Sequence, residues 1–408
     1  MLTQTQQTVL DLTAASLFGG QVNIPEGTEW NAVLEESNQQ SVLLQVFSAA
    51  QPFLPEDVRK QWKPLCDRII ANNVRIEWEH SELHEVMTKA NMPYVVIKGC
   101  ASSERYPDPS LRIMGDVDFL VAPENIDAAG KLLEGVGFEL EERDEEEIHV
   151  VYRRAASGGW SVWEMHWQVN GVPAGPVGEQ VDQYLSTAIL DGVDSRTPSG
   201  TFKATSTFHH GLVLLLHTAT HLINTGVGLR HLCDWAVFVQ GLSDDEFCSL
   251  FEEKLKAVGL WCFAQLLTQL ASRSLGLREV SWASGDDQLV EQMIADIFDG
   301  GNFGRKDEQR INQAKLMTDR GKASVDDASM FKQFVLAMNQ KARLALPAAR
   351  KCAMLLPIGW IYAGGRHFLR VICGKRPSIR LGKMISGASK RREIYREFRL
   401  FETPSGEK

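Results

Sequence analysis

YVVIKGCASSERYPDPSLRIMGDVDFLV, residues 94–121, is the stretch from which the rest of the chain is read. It begins and ends in short apolar runs, 94–97 and 119–121, and such runs rich in Val, Ile and Tyr read as buried strands. Lys98-Gly99 follows the first run, and Gly115-Asp116-Val117-Asp118 leads into the second. Side chains alternate faces along a strand, so Asp116 and Asp118 point to one side while Val117 and Phe119 point to the other. Two neighbouring carboxylates on one face repel each other unless water or a cation lies between them. Mg²⁺ suits such a pair, because it takes a few carboxylates and completes its shell with water and phosphate oxygens.

Residues 161–169 (SVWEMHWQV) carry a second informative alternation. Trp163, Met165, Trp167 and Val169 share a large apolar face that belongs in a core, which leaves Val162, Glu164, His166 and Gln168 on the open face. If this strand pairs beside 116–121, Glu164 joins the two aspartates as a third carboxylate. Two divalent ions about 3.5–4 Å apart can stabilise both the attacking and the leaving oxygen of a phosphoryl-type transfer. Three carboxylates suffice to hold them, Asp116 and Asp118 bridging the ions and Glu164 binding the one nearest the attacking hydroxyl. Glu164 can also help take the hydroxyl proton. Lys98 and Arg112 are the nearest cations in sequence for neutralising phosphates, and a guanidinium is the better shaped for two-point contact. Gly99 lets backbone N–H groups reach phosphate oxygens.

Lys98-Gly99, then Tyr106-Pro107, Arg112 and Gly115-Asp116-Val117-Asp118, resemble the uncharacterised bacterial nucleotidyltransferases of the polymerase-β superfamily. The resemblance is clear over residues 90–170 and includes an acidic residue two positions before a His-Trp pair, here Glu164 before His166-Trp167. It implies a glycine that lets a loop approach the triphosphate, an Asp-x-Asp pair for two Mg²⁺ (or Mn²⁺) ions, and a third carboxylate from a later strand. It also implies transfer of a nucleoside monophosphate from ATP or another nucleoside triphosphate to a hydroxyl on an acceptor that is a small molecule, a protein or an RNA. The sequence departs from the broad superfamily pattern at Cys100, where Gly or Ser is common, and in the long gap between Gly99 and Asp116.

The expected architecture is α+β. A polymerase-β-like palm over 91–170 lies between an N-terminal helical region, 1–90, and a helical substrate-side domain, 171–340, with a basic tail over 341–408. At 408 residues the chain has room for two or three domains of roughly 100–200 residues each. Apolar and charged contents of 44% and 23% are those of a soluble globular protein, and no run of 18 apolar residues calls for a membrane span. Seven cysteines without a C-x-x-C pair, and no secretion signal, read as reduced thiols in the cytoplasm. The overall charge of −9 hides an asymmetry: residues 341–408 hold 16 Lys+Arg against 4 Asp+Glu, a balance of +12, which leaves −21 for residues 1–340. The body should repel nucleic-acid backbones, whereas the tail should attract a partner protein or an anionic surface.

Helical spacing predicts helices over 5–18, 28–50 and 55–90, with Pro64 as a kink or a split in the last. Strands are expected at 94–97, 119–121, 138–140, 148–154 and 161–169, and a helix from Pro123 to about Glu134. The acidic run 141–147 and Ser157-Gly158-Gly159 read as turns, and 170–204, with several Gly and Pro, as an irregular linker or lid. Helices are then expected over 208–224, 230–239, 244–275, 286–299, 307–318 and 326–354.

Each functional reading has a plainer rival. Taken alone, Lys98 reads more readily as an ordinary strand-end lysine, and Arg112 reads also as the ion-pair partner of one of the aspartates. Cys100 reads as structural, since no base is identified beside it. His217 and His221 have zinc-ligand spacing on a helix, but HTATH lacks the glutamate of metalloprotease motifs, and core histidines are the plainer reading. For the molecule as a whole the rival is a catalytically inactive scaffold, acting as a regulatory or interaction protein through its basic tail.

Overall fold

The computed structural model describes residues 2–142, 148–156, 159–173, 175–306, 339, 355–361 and 396–403. Four helices open the chain: α1 (Gln4–Phe18), α2 (Trp30–Gln39), α3 (Leu43–Ala50) and α4 (Glu56–Lys89). Thr3 and Gln6 close a reciprocal capping box at the start of α1. The helix expected over 28–50 is two helices, because Ser41 has a left-handed φ of 56° that an α-helix cannot contain. The buried Gln40 amide stabilises that break through Leu229 and Ile297, accepting from the backbone N–H of one and donating to the carbonyl of the other. α4 runs unbroken for 34 residues despite Pro64, which faces solvent, where water can satisfy the carbonyl it leaves unpaired.

The sheet begins with β1 (Val95–Val96), the short helix α5 (Cys100–Ser103) and β2 (Val117–Leu120). It continues through α6 (Ile126–Gly135), β3 (Glu139–Glu142), β4 (His149–Ala156) and β5 (Gly159–His166). The stretch expected to be an irregular linker instead contains α7 (Pro176–Leu185), β6 (Val193–Thr197) and β7 (Gly200–Ala204), and its last strand returns to the sheet beside β1. Among the described residues the strands form one mixed sheet in the order β3-β4-β5-β2-β1-β7-β6, with β2/β5 and β1/β7 parallel and the other pairs antiparallel. The fold is α+β, as expected, with a larger sheet than the sequence indicates.

Helices α8 (Thr207–Asn224), α9 (Leu229–Gln240), α10 (Asp244–Ala257), α11 (Trp261–Leu275) and α12 (Asp287–Gly300) follow. Two apolar cores result. One lies on the sheet face that carries Val117, Phe119, Trp163 and Met165. The other lies among α1, α3 and α8 to α12. α4 belongs to both, giving Trp62 and Cys66 to the helical core and Ile76, Leu83 and Met87 to the sheet core. The helices expected over 307–318 and 326–354, the turns at 143–147 and 157–158, and most of the basic tail lie outside the described residues. Of the tail's described part, Phe398, Leu400 and Phe401 pack into the helical core. Among the described residues no helix is long and apolar enough to cross a membrane.

Candidate active site

The site forms where β1 ends and β2 begins, with β5 alongside, next to α8 and α9. The parallel register sets Asp118 directly across from Glu164, and Leu120 across from His166. The expected pairing of 161–169 with 116–121 is therefore the observed one. Trp163 and Met165 turn into the core, which leaves Glu164 partly open beside the aspartates. Asp116 sits just ahead of β2, in a loop held by α4. Asn73 donates to the carbonyls of Ser110 and Arg112 and accepts from the Met114 N–H, and Asn72 donates to the Met114 carbonyl. Four hydrogen bonds from one helix turn thus fix the backbone that presents Asp116.

Oppositely charged groups crowd around Asp118. Lys98 Nζ lies 2.8 Å from its Oδ1, and His166 Nε2–H donates to the same oxygen at 3.1 Å. His166 Nε2 also lies 3.5 Å from Glu164 Oε2. Burial opposes the charge on Asp118, but Lys98 and His166 outweigh it and hold this carboxyl well below the usual range. Asp116 makes no ion pair or hydrogen bond of this kind among the described residues, and Lys98 and Arg230 act on it only from a distance. Burial, followed by the Asp118 charge, pushes its carboxyl up to about 7. Burial likewise opposes the charge on Lys98 and His166, yet the carboxylates raise both above their ordinary values.

Gly99 turns the chain from β1 into α5 with φ 57°, a left-handed conformation that favours glycine. A Cβ there would meet the buried His80 Nε2 at 2.7 Å, so the glycine is required on two counts. Arg112 lines the same cavity, but its guanidinium is committed. It makes two 2.7 Å bonds to Asp234 of α9 and a 3.3 Å bond to the Gly99 carbonyl. The aspartate it pairs with is Asp234, not Asp116 or Asp118 as the plainer reading had it. Tyr106 adds a 2.7 Å hydrogen bond to Asp234.

Two groups near the site escape a local reading of the sequence. Arg230, at the start of α9, faces the cavity shared by Lys98, Asp116 and Asp118 and has no carboxylate partner among the described residues. It also lies over the ring of Phe303, and burial lowers its pKa. His166 stands on the expected open face, but the sequence assigns it no role, and its bond to Asp118 gives it one. Nothing local to residues 94–121 points to a cation that arrives more than a hundred residues later.

Two carboxylates and an imidazole converge closely enough to hold a divalent cation. Ligand atoms of Asp118, Glu164 and His166 lie within 4.8 Å of one another. Asp116 holds its proton up to about 7, as a carboxyl short of positive charge does.

No curated protein matches the chain. A solved structure, that of an antigenic nucleotidyltransferase-like protein from Paracoccidioides brasiliensis, is similar at 18% identity over 50% of this chain and 94% of that one, with a TM-score of 0.34. Residues 26–276, which hold every residue named at this site except Phe303, match a family described as uncharacterised nucleotidyltransferase. The chain belongs to that family of uncharacterised nucleotidyltransferases.

Proposed function

We propose that this protein moves a nucleoside monophosphate from a nucleoside triphosphate, ATP being the first to test, to a hydroxyl of an acceptor, with Mg²⁺ or Mn²⁺ held by Asp116, Asp118 and Glu164. The observation that carries the reading is the parallel register that sets Asp118 across from Glu164 with Asp116 beside them. The acceptor oxygen forms a bond to the α-phosphorus as the bond to pyrophosphate breaks, and the hydroxyl proton passes to a carboxylate. Divalent ions, when bound, neutralise the phosphates and stabilise both the attacking and the leaving oxygen. Glu164, partly open to solvent, is suited to receive the proton.

Among the described residues, Lys98 and Arg230 are the cations we assign to phosphate. Lys98 reaches it by turning away from Asp118, and Arg230 has no carboxylate to leave among the described residues. Arg112 works as a brace for the Gly99 loop through Asp234. The cavity encloses about 100 Å³, against about 30 Å³ per water in the liquid. That is room for ions and phosphate oxygens.

A second reading, the non-catalytic scaffold, draws on one observation. Lys98 and His166 already neutralise Asp118 without a metal ion. Thermal unfolding separates the two. Ligand at 100 Kd stabilises the native state by about 2.7 kcal/mol. Mg²⁺ with the preferred nucleoside triphosphate should raise the Tm of the wild type and leave that of Asp116→Asn unmoved. No shift with any nucleotide, with Mg²⁺ or Mn²⁺, would turn the assignment over to the scaffold.

A further inference from the structure

His217 and His221 lie one turn apart on α8, and His231 stands in the first turn of α9. Their imidazoles meet between the two helices. One ring nitrogen from each lies within 4.8 Å of the other two. The ring centroids are 4.3 Å apart within α8, and each lies 5.4 Å from His231. Core histidines ordinarily spend their ring nitrogens on protein partners. These do so only in part. His221 Nδ1 pairs with Thr225 Oγ1 at 3.0 Å, leaving Nε2 available. His231 Nδ1 has a long 3.4 Å contact with the Gly228 N–H, and its Nε2 is buried without a partner. His217 has no hydrogen-bond partner among the described residues. Burial holds all three rings in the neutral form that can act as a ligand.

We propose that His217, His221 and His231 form a second cation site, one for a borderline transition-metal ion such as Zn²⁺ or Co²⁺, separate from the carboxylates and with a coordination position open to the same cavity. Imidazole nitrogens select such ions, whereas the oxygen donors of Asp116, Asp118 and Glu164 select Mg²⁺. At a Zn–N distance of about 2.0–2.1 Å, three tetrahedral ligands sit roughly 3.3 Å apart. Small side-chain rotations close the present spacing to that value. Thr225 stands where an outer partner of a metal-bound imidazole is needed, on the far nitrogen of His221. Binding through His231 Nε2 puts that ring's proton on Nδ1 and gives up only the long contact to Gly228. His217 and His231 both line the cavity, and Lys98 and Arg230 line it with them. Those two cations favour an anionic fourth ligand, such as hydroxide or an oxygen of a substrate. Three protein ligands with one open position are the arrangement of a reactive ion, not of a closed structural one.

Co²⁺ titration of the untagged, full-length, chelator-treated protein in excess Mg²⁺ tests this without any nucleotide. The expected result is one Co²⁺ per chain with the visible absorption of a four-coordinate ion. It should be retained in Asp118→Asn and lost in His221→Ala. Thr225→Val keeps all three ligands and should weaken Co²⁺ about 10–100-fold. Far-UV circular dichroism of each variant separates loss of the site from loss of the fold, and Thr225→Val keeps the question open should His221→Ala fail to fold. Absence of bound Co²⁺ in the folded wild type overturns the assignment. So does a spectrum kept in folded His221→Ala, or one lost in folded Asp118→Asn, since the ion then belongs to the carboxylates. Failure of nucleotide binding leaves the Co²⁺ result standing, so the two proposals fail separately.

Discussion

Asp116 is where the cost of the site is concentrated. A carboxyl raised from its ordinary value of 3.8 to about 7 is protonated in the native state and ionised in the unfolded state between those limits. The native state therefore holds more protons, and stability falls as pH rises from about 4 to about 7. Below about 4 the favourable contribution is complete, and above 7 it is gone. An amide at this position does not titrate, so Asp116→Asn should melt above the wild type at pH 8 and nearly with it at pH 3.5. Since Asp116 is only half-buried, screening reduces the gain at pH 8 to on the order of 2 kcal/mol. Calorimetric melts at the two pH values check this, and a variant less stable than the wild type at pH 8 refutes it. The same proton should leave when Mg²⁺ binds. Titrations in buffers of different ionisation enthalpy should show about one proton released at pH 6 and almost none at pH 8.5. The nearness of the two aspartates was legible in the sequence from their spacing at the start of β2, although strand periodicity reaches only Asp118, since Asp116 lies in the loop ahead of the strand. Their unequal ionisation was not, because it depends on Lys98 and His166 both choosing Asp118.

At the scale of elements, β5 sits correctly because α4 holds it. The buried Glu79 carboxylate accepts from Ser161 Oγ and Trp163 Nε1 on β5, and it pairs with Arg75 one turn earlier on α4. Glu79→Ala would leave the Trp163 N–H without its acceptor, take from Arg75 its carboxylate while leaving it the bonds to Asn72 and Ser161, and open a void beside a fully buried indole. The expected loss is about 1–3 kcal/mol, read from the urea midpoint at unchanged m-value. A loss below about 1 kcal/mol would mean that β5 is set by its ladder bonds alone. The alternation over 161–169 was readable because one face is uniformly apolar and large. β6 and β7 were not readable, because VDSRT and GTFKA are short and half-exposed and lack a clean apolar face. The break between α2 and α3 was hidden for another reason. Its stabilising partners, Leu229 and Ile297, come from the far end of the fold, and no local signal can report them.

At the scale of the molecule, two cores meet along the cavity, and a buried tie crosses between them. Arg112 and Tyr106, from the segment between β1 and β2, converge on Asp234 of α9. Both partners of the ion pair are almost fully buried, at 3% and 6% exposure. Asp234→Ala therefore leaves a dry, uncompensated guanidinium, at a cost of about 3–5 kcal/mol. Replacing the pair together, as Arg112→Met with Asp234→Leu, removes the stranded charge and should recover most of that loss. The geometry adds a prediction about cooperativity. α4 runs through both cores, so the intact protein should expose Phe119 of the sheet core and Phe238 of the helical core in one unfolding transition. Without the tie, α4 is left to couple the cores, and the two regions should open at different denaturant concentrations. Hydrogen exchange read by mass spectrometry over β2 and α9 reports each core by itself. Coincident opening in the wild type with separation in Asp234→Ala would show that the ion pair helps to make the cores one unit. Coincidence in both would assign the coupling to α4, and Arg112 would then serve chiefly to brace the Gly99 turn beside the carboxylates.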